Sequence, residues 1–184
     1  MTLRQLCITS LAAMGLVACG EEPATPASTI PAANAAESRA STGSVTLVSD
    51  GLRISSAPAV LTFGTPSAEV KAALTAALGS PATTGENPDC PTGAVQYLSW
   101  GDGLGIVTRS GAFIGWTAGP TGPQTTSGVR AGMTRAEVLA KGATEDPDSQ
   151  FPVTPISVDG VSGFLDEAGA TVDELFAGEV CIAS

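Results

Sequence analysis

One short phrase is spelled twice in this chain, and any fold has to accommodate both copies. Residues 64–71 read GTPSAEVK and residues 132–139 read GMTRAEVL, sharing Gly-x-x-x-Ala-Glu-Val at an offset of 68. Behind each copy the same landmarks return. Residues 102–119 read DGLGIVTRSGAFIGWTAG, and residues 159–178 read DGVSGFLDEAGATVDELFAG. With one inserted residue in each half, both spell Asp-Gly, an apolar run, a Gly-Ala turn, a second apolar run and a closing Ala-Gly. The Asp-Gly and Gly-Ala landmarks of this second set recur at offsets of 57–58, so the first unit has a connection about eleven residues longer between its helix and its hairpin. Internal duplication accounts for the order and the spacing together.

Each unit has a physical reading. Thr134 and Glu137 stand at capping-box spacing, the Thr hydroxyl accepting from the amide three residues on while the Glu reaches back. In the first copy Thr65 is placed to cap, with Pro66 at the first helical position, where its missing N–H costs nothing. Val70, Leu74 and Leu78 then share one helical face, and Gly79 stops the helix. The second helix is shorter, from about Thr134 to Lys141, and ends at Gly142.

Hairpin patterns follow. Residues 94–100, 104–109 and 112–117 are β-rich runs separated by Gly turns, and 151–158, 161–166 and 170–178 do the same in the second unit. Thr171 to Glu174 alone resembles another capping box, but its alignment with 112–119 makes it a strand. Ahead of the first helix, SVTLV, LRIS and AVLTF add one to three short strands. The expected fold class is therefore α+β: two tandem units, each a helix plus an antiparallel meander, forming one continuous curved sheet with helices on one face. The units are 44–124, with the extra N-terminal strands, and 125–184.

The N-terminus carries an address. Arg4 is followed by an apolar stretch from Leu6 to Ala18, 13 residues. A membrane-spanning helix needs roughly 20, whereas the h-region of a secretory signal is this short. The stretch ends Leu16-Val17-Ala18-Cys19, which resembles the lipobox of bacterial lipoproteins. That resemblance implies a signal peptide over 1–18, cleavage before Cys19, a diacylglyceryl group on its sulfur and acylation of the new N-terminus. An ordinary secretory signal with an incidental Cys is the alternative. Gly20, not Asp, follows the Cys. In a Gram-negative cell this points to the outer membrane, facing the periplasm; otherwise the anchor lies on the outer face of the cell membrane. Residues 19–43, rich in Ala, Pro, Ser and Thr, read as a disordered tether that buries too little apolar surface to order itself. As a flexible coil it spans on the order of 25–30 Å.

Composition closes off several chemistries. With Arg4 removed, 18 acidic residues face 7 basic ones, and residues 142–184 hold nine acids and no Lys or Arg. Nucleic acids and anionic lipid surfaces attract basic patches and are unexpected partners. The chain has no His, which removes Ser-His-Asp and Cys-His catalysis and imidazole metal ligation. In an extracytoplasmic compartment the two remaining cysteines, Cys90 and Cys181, are expected to form a disulfide. The alternative, a metal pair, lacks His and a CxxC spacing. Neither a metal nor a cofactor is expected.

The repeated helix start followed by strands resembles small outer-membrane lipoproteins of the SmpA/OmlA type. The tandem arrangement is similar to that of β-lactamase inhibitory protein, over about 120 residues from Phe63 onward. Both resemblances imply a noncatalytic protein that binds another protein through its sheet or the loops at the sheet edge. No inhibitory contact residue of that family matches a position here, and the acidic C-terminal half and single Cys pair depart from it.

The aromatic residues supply the candidate site. Tyr97, Trp100, Phe113 and Trp116 cluster in the first unit's hairpins, whereas the second has Phe151, Phe164 and Phe176. Odd spacing puts Tyr97 and Trp100 on opposite faces of their strand. Phe113 and Trp116, also three apart, are expected to divide in the same way. One of each pair then belongs to the core and the other is free to anchor a partner; the alternative is that all four fill a small core. The acidic stretches 144–150 and 86–90 do not match a calcium loop. Asp102 and Asp159 each precede Gly at equivalent tight turns, which explains them without catalysis. The seven Gly residues between Gly101 and Gly122 form no phosphate loop, since no Gly-Lys-Ser/Thr follows.

The expected function is a lipid-anchored, extracytoplasmic, noncatalytic binding module for an envelope protein or cell-wall component. The alternatives are an inhibitor of a secreted or periplasmic enzyme and a hydrolase working through carboxylates alone.

Overall fold

The computed structural model describes residues 43–181 apart from Pro58, Ala82 and Asp102, all within one compact unit, Ser38–Ser184. The signal segment, the lipobox with Cys19, most of the tether and Asp102 lie outside the described residues. Strands β1 (Val45–Val48), β2 (Gly51–Ile54) and β3 (Val60–Thr62) precede helix α1 (Ser67–Leu78). Then come β4 (Thr83–Asn87), β5 (Val95–Trp100), β6 (Leu104–Arg109), β7 (Ala112–Ala118) and the short β8 (Gln124–Thr125). Helix α2 (Arg135–Ala140) leads into β9 (Thr144–Glu145), β10 (Pro155–Val158), β11 (Val161–Leu165) and β12 (Val172–Gly178).

These strands make two sheets. The larger is antiparallel with the order β4-β5-β6-β7-β12-β11-β10-β9, its two four-stranded meanders joined where β7 pairs with β12. The smaller has the order β3-β2-β1-β8, with β8 parallel to β1. The expected α+β class, with helices on one face of a single sheet, is therefore corrected: the protein is mostly β. The physical reason lies in where the apolar surface is. Strands β1 to β3 bury Val45, Leu47, Leu52, Ile54 and Leu61 against the large sheet, whereas α2 has six residues and buries only Val138. One core unites Leu47, Leu52, Val70, Leu74, Ile106, Phe113, Trp116, Val161, Leu165 and Leu175, all nearly inaccessible to water.

The two copies of the repeated phrase make the same backbone bonds. Gly64 N–H donates to the carbonyl of Phe113, and Gly132 N–H to that of Val172, both at 2.7 Å. In return, Phe113 N–H donates to Thr65 and Val172 N–H to Met133, both at 2.9 Å. Each phrase thus lashes a helix start to the first turn of the last strand of its meander. The glycines adopt φ of 94° and 82°, a region that L side chains enter only with strain.

The helix starts differ in detail. Thr134 and Glu137 form a complete capping box: Glu137 N–H donates to Thr134 Oγ1 at 3.3 Å and Thr134 N–H donates to Glu137 Oε2 at 2.8 Å. The Thr134 amide and hydroxyl hold the Glu137 carboxyl below its ordinary range. In α1 the cap position is Pro66, not the expected Thr65, and its ring carries no oxygen to accept from the first-turn amides. Thr134→Ala is expected to lower stability by about 1 kcal/mol, measured by urea denaturation. Thr65→Ala should cost less than half as much, since no cap bond is lost.

Candidate binding face of the large sheet

The two faces of the large sheet have different fates. The inner face meets the small sheet and both helices, and the outer face has no second layer among the described residues. On the first meander, part of the outer face is closed locally. Val95 and Val107 are buried beneath the Cys90–Cys181 disulfide, with Tyr97, Ile114 and Val180 packed around them. The disulfide joins residues 91 positions apart with a Cα–Cα distance of 5.7 Å. Arg109 reinforces this patch, donating to Glu179 at 2.7 Å and to Thr92 at 2.5 Å.

The four aromatics singled out from the sequence do not form one surface. Tyr97 lies half-buried on the outer face against the disulfide patch. Trp100 packs against the inner core, and its Nε1 donates to the Gly79 carbonyl at 2.7 Å. It borders a cavity of about 490 Å³ with Val45, Leu78 and Leu104. Phe113 and Trp116, expected on opposite faces, are both completely buried in the same core. A β-bulge is the cause. Val107 pairs with Gly115 and Thr108 with Phe113, which leaves Ile114 as an extra residue and returns Phe113 to the side occupied by Trp116. The Trp116 Nε1 donates to the Val48 carbonyl at 3.1 Å, tying the large sheet to β1. Strand β12 repeats the device: Leu165 pairs with Val172 and Phe164 with Glu174, so Asp173 is extra and Val172 and Leu175 are both core.

The open part of the outer face belongs to the second meander. Phe164 stands at its centre, with Phe151 and Phe176 on either side at ring-centroid distances of 5.3 and 5.2 Å. Phe151 is 50% exposed, unusual for a residue of its size. Phe151, Pro155, Ser157, Ser162, Phe164 and Phe176 border a shallow cavity of about 360 Å³. Glu174 sits directly across from Phe164 and two residues from Phe176 on the same face. At one rim, Arg135 donates twice to Glu145, at 2.6 Å each, which holds the Glu145 carboxyl below its ordinary range.

The period-2 pattern of VSGFL carried the signal for this face: Val161, Gly163 and Leu165 are buried while Ser162 and Phe164 point the other way. The Trp and Tyr residues of the first meander outweighed it. The Asp159 carboxylate holds a turn. The residue occupies the first position of a two-residue hairpin turn, with φ of 54° followed by 74° at Gly160. Its Oδ2 accepts from Ser127 N–H at 2.9 Å, and hydrogen bonds from Ser127 keep its carboxyl below the usual range. Among the described residues no three Cys, Asp or Glu side chains gather as a metal site, and no helix is long and apolar enough to cross a membrane.

Burial pushes the Glu174 carboxyl upward; a hydrogen bond with Thr117 opposes this and the Asp173 charge adds to it. Above the ordinary value of 4.5 the native state then holds its proton longer than the unfolded chain does. Stability contributed by protonated Glu174 is therefore complete below that value and is lost as pH rises through the raised one. Glu174→Gln is expected to raise Tm at neutral pH and to leave it unchanged near pH 3.5, about a unit below the ordinary value. An equal shift at both pH values would contradict this.

Comparison with protein-family models, curated proteins and solved structures finds no match to this chain.

Proposed function

We propose that this protein is a lipid-anchored, extracytoplasmic binding module that acts through the outer face of its second meander and carries out no turnover. One observation carries this reading: Phe164 and Phe176 lie side by side on the outer sheet face, and Phe151 of the loop before β10 packs against Phe164 while remaining 50% exposed. Large apolar side chains left in water are costly, at roughly 25 cal/mol per Å² of apolar surface, and contiguous exposed patches mark interaction sites. The lack of His and the engagement of Asp159 by Ser127 support binding over catalysis. The lipobox-like Leu16-Val17-Ala18-Cys19 and the Pro-rich stretch after it support anchoring at the envelope through Cys19. An envelope protein fits the face better than a cell-wall glycan, because the patch is apolar at its centre.

The test is affinity capture from an envelope extract of the source cells, comparing the natural chain with a Phe164→Ser, Phe176→Ser variant. A dominant partner retained by the natural chain and reduced at least about tenfold by the variant is expected, in line with aromatic anchors worth 2 kcal/mol or more at interfaces. Both residues are half-buried and lie outside the core clusters, so the variant's thermal transition should stay within a few degrees of the natural one. Equal capture by both proteins would refute the face.

A further inference from the structure

Building on that docking reading, we infer that the occupant of this face is a protein segment presenting a Lys or Arg side chain between apolar neighbours, its cation seated against Phe164, Phe176 and Glu174. The side-chain arrangement selects the charge. Glu174 lies opposite Phe164 in the strand register and two residues from Phe176, so a carboxylate borders two aromatic rings on one face. Ring faces and carboxylates both present negative potential, and together they favour a cation over any neutral or anionic group.

No cation among the described residues stands there. Among the described residues the ion pairs are Arg109–Glu179 and Arg135–Glu145, and residues 142–184 contain no Lys or Arg at all. Arg135, at the rim, is committed to Glu145 by two hydrogen bonds. Glu174 is thus partly desolvated, with a hydrogen bond from Thr117 but no cation beside it among the described residues, an unfavourable state that an incoming cation relieves.

The remaining features favour a polypeptide. The cavity of about 360 Å³ beside Phe151 and Phe164 has room for an aliphatic or aromatic neighbour of the cation. The exposed hydroxyls of Ser157 and Ser162 line the next row of the sheet, within reach of a peptide backbone lying along the face. A net charge of −10 disfavours anionic membrane surfaces.

The test is an NMR titration of the full, oxidised chain with two matched peptides, Ac-Leu-Arg-Leu-amide and Ac-Leu-Gln-Leu-amide, and with phosphatidylcholine vesicles. The Arg peptide should shift the amide signals of Ser162, Phe164, Glu174 and Phe176 and bind at least about tenfold more tightly than the Gln peptide. Glu174→Gln, which the burial of that carboxyl makes a stabilising change, should erase the preference without weakening the Gln peptide. Equal binding of both peptides at the face would overturn the cationic occupant while leaving the docking reading intact. Shifts that map elsewhere, or none with either peptide at millimolar concentration, would overturn both. Glu174-dependent binding of the vesicles in place of the peptides would overturn the inference in favour of a choline-type lipid surface.

Discussion

Replacing Cys90 and Cys181 together by Ser is expected to lower the stability of this protein by roughly 4–5 kcal/mol. The bridge closes a loop of 91 residues, and constraining so long a loop removes much of the unfolded chain's freedom. The native contribution is local as well. The segment after β12 reaches Cys181 across the outer face of the first meander, where it helps to cover Val95 and Val107 and brings Glu179 to Arg109. Small domains are held by about 5–15 kcal/mol in all, so the reduced protein should remain only marginally folded. Guanidinium denaturation of the oxidised protein, the reduced protein and the double variant measures this directly. The last two should coincide, well below the first. A difference of less than about 1 kcal/mol would mean that the loop is already ordered in the unfolded chain.

Trp116→Ala should cost about 3–5 kcal/mol. The indole is fully buried between the two sheets, and its Nε1–H satisfies the Val48 carbonyl at the end of β1. Truncation opens a cavity in the core and removes a polar tie between the small sheet and the large one. Trp116→Phe separates the two effects, since it keeps most of the packing and loses about 1–2 kcal/mol with the hydrogen bond. Neither variant should alter partner capture per folded molecule, because Trp116 presents no surface to a partner. Loss of capture by a fully folded Trp116→Phe protein would contradict the placement of the binding face.

The sequence made local structure readable and long-range structure opaque, for identifiable reasons. The capping box at Thr134 and Glu137 and the glycine stops at Gly79 and Gly142 rest on neighbours within a few residues, whereas the strand at Val172 to Gly178 was legible only through the repeat, against the local capping-box spacing at Thr171. The fold class rests on neither. Strand β1 finds β8 as a parallel neighbour almost eighty residues away, and no local pattern announces such a pairing. Without it, SVTLV and LRIS look like ornaments on a helix-covered sheet instead of half of a second layer. The bulges at Ile114 and Asp173 were equally hidden, because one extra residue reverses the faces inferred from alternation. The slip in β7 moved Phe113 from candidate anchor to core. The disulfide was readable from the cysteine count taken together with the signal-like N-terminus: with Cys7 inside that apolar stretch and Cys19 at its end, Cys90 and Cys181 were left to pair.

Photo-crosslinking in the source envelope tests the binding face most directly. A benzophenone side chain placed at position 151 would stand on the open face, and one at position 139 would stand on α2, where Leu139 is the other large apolar residue left exposed among the described residues. Irradiation should give one discrete adduct from position 151 and none from position 139, and Phe164→Ser should abolish it. An adduct from position 139 with none from 151 would place the partner on the helix side and contradict the outer face as the site.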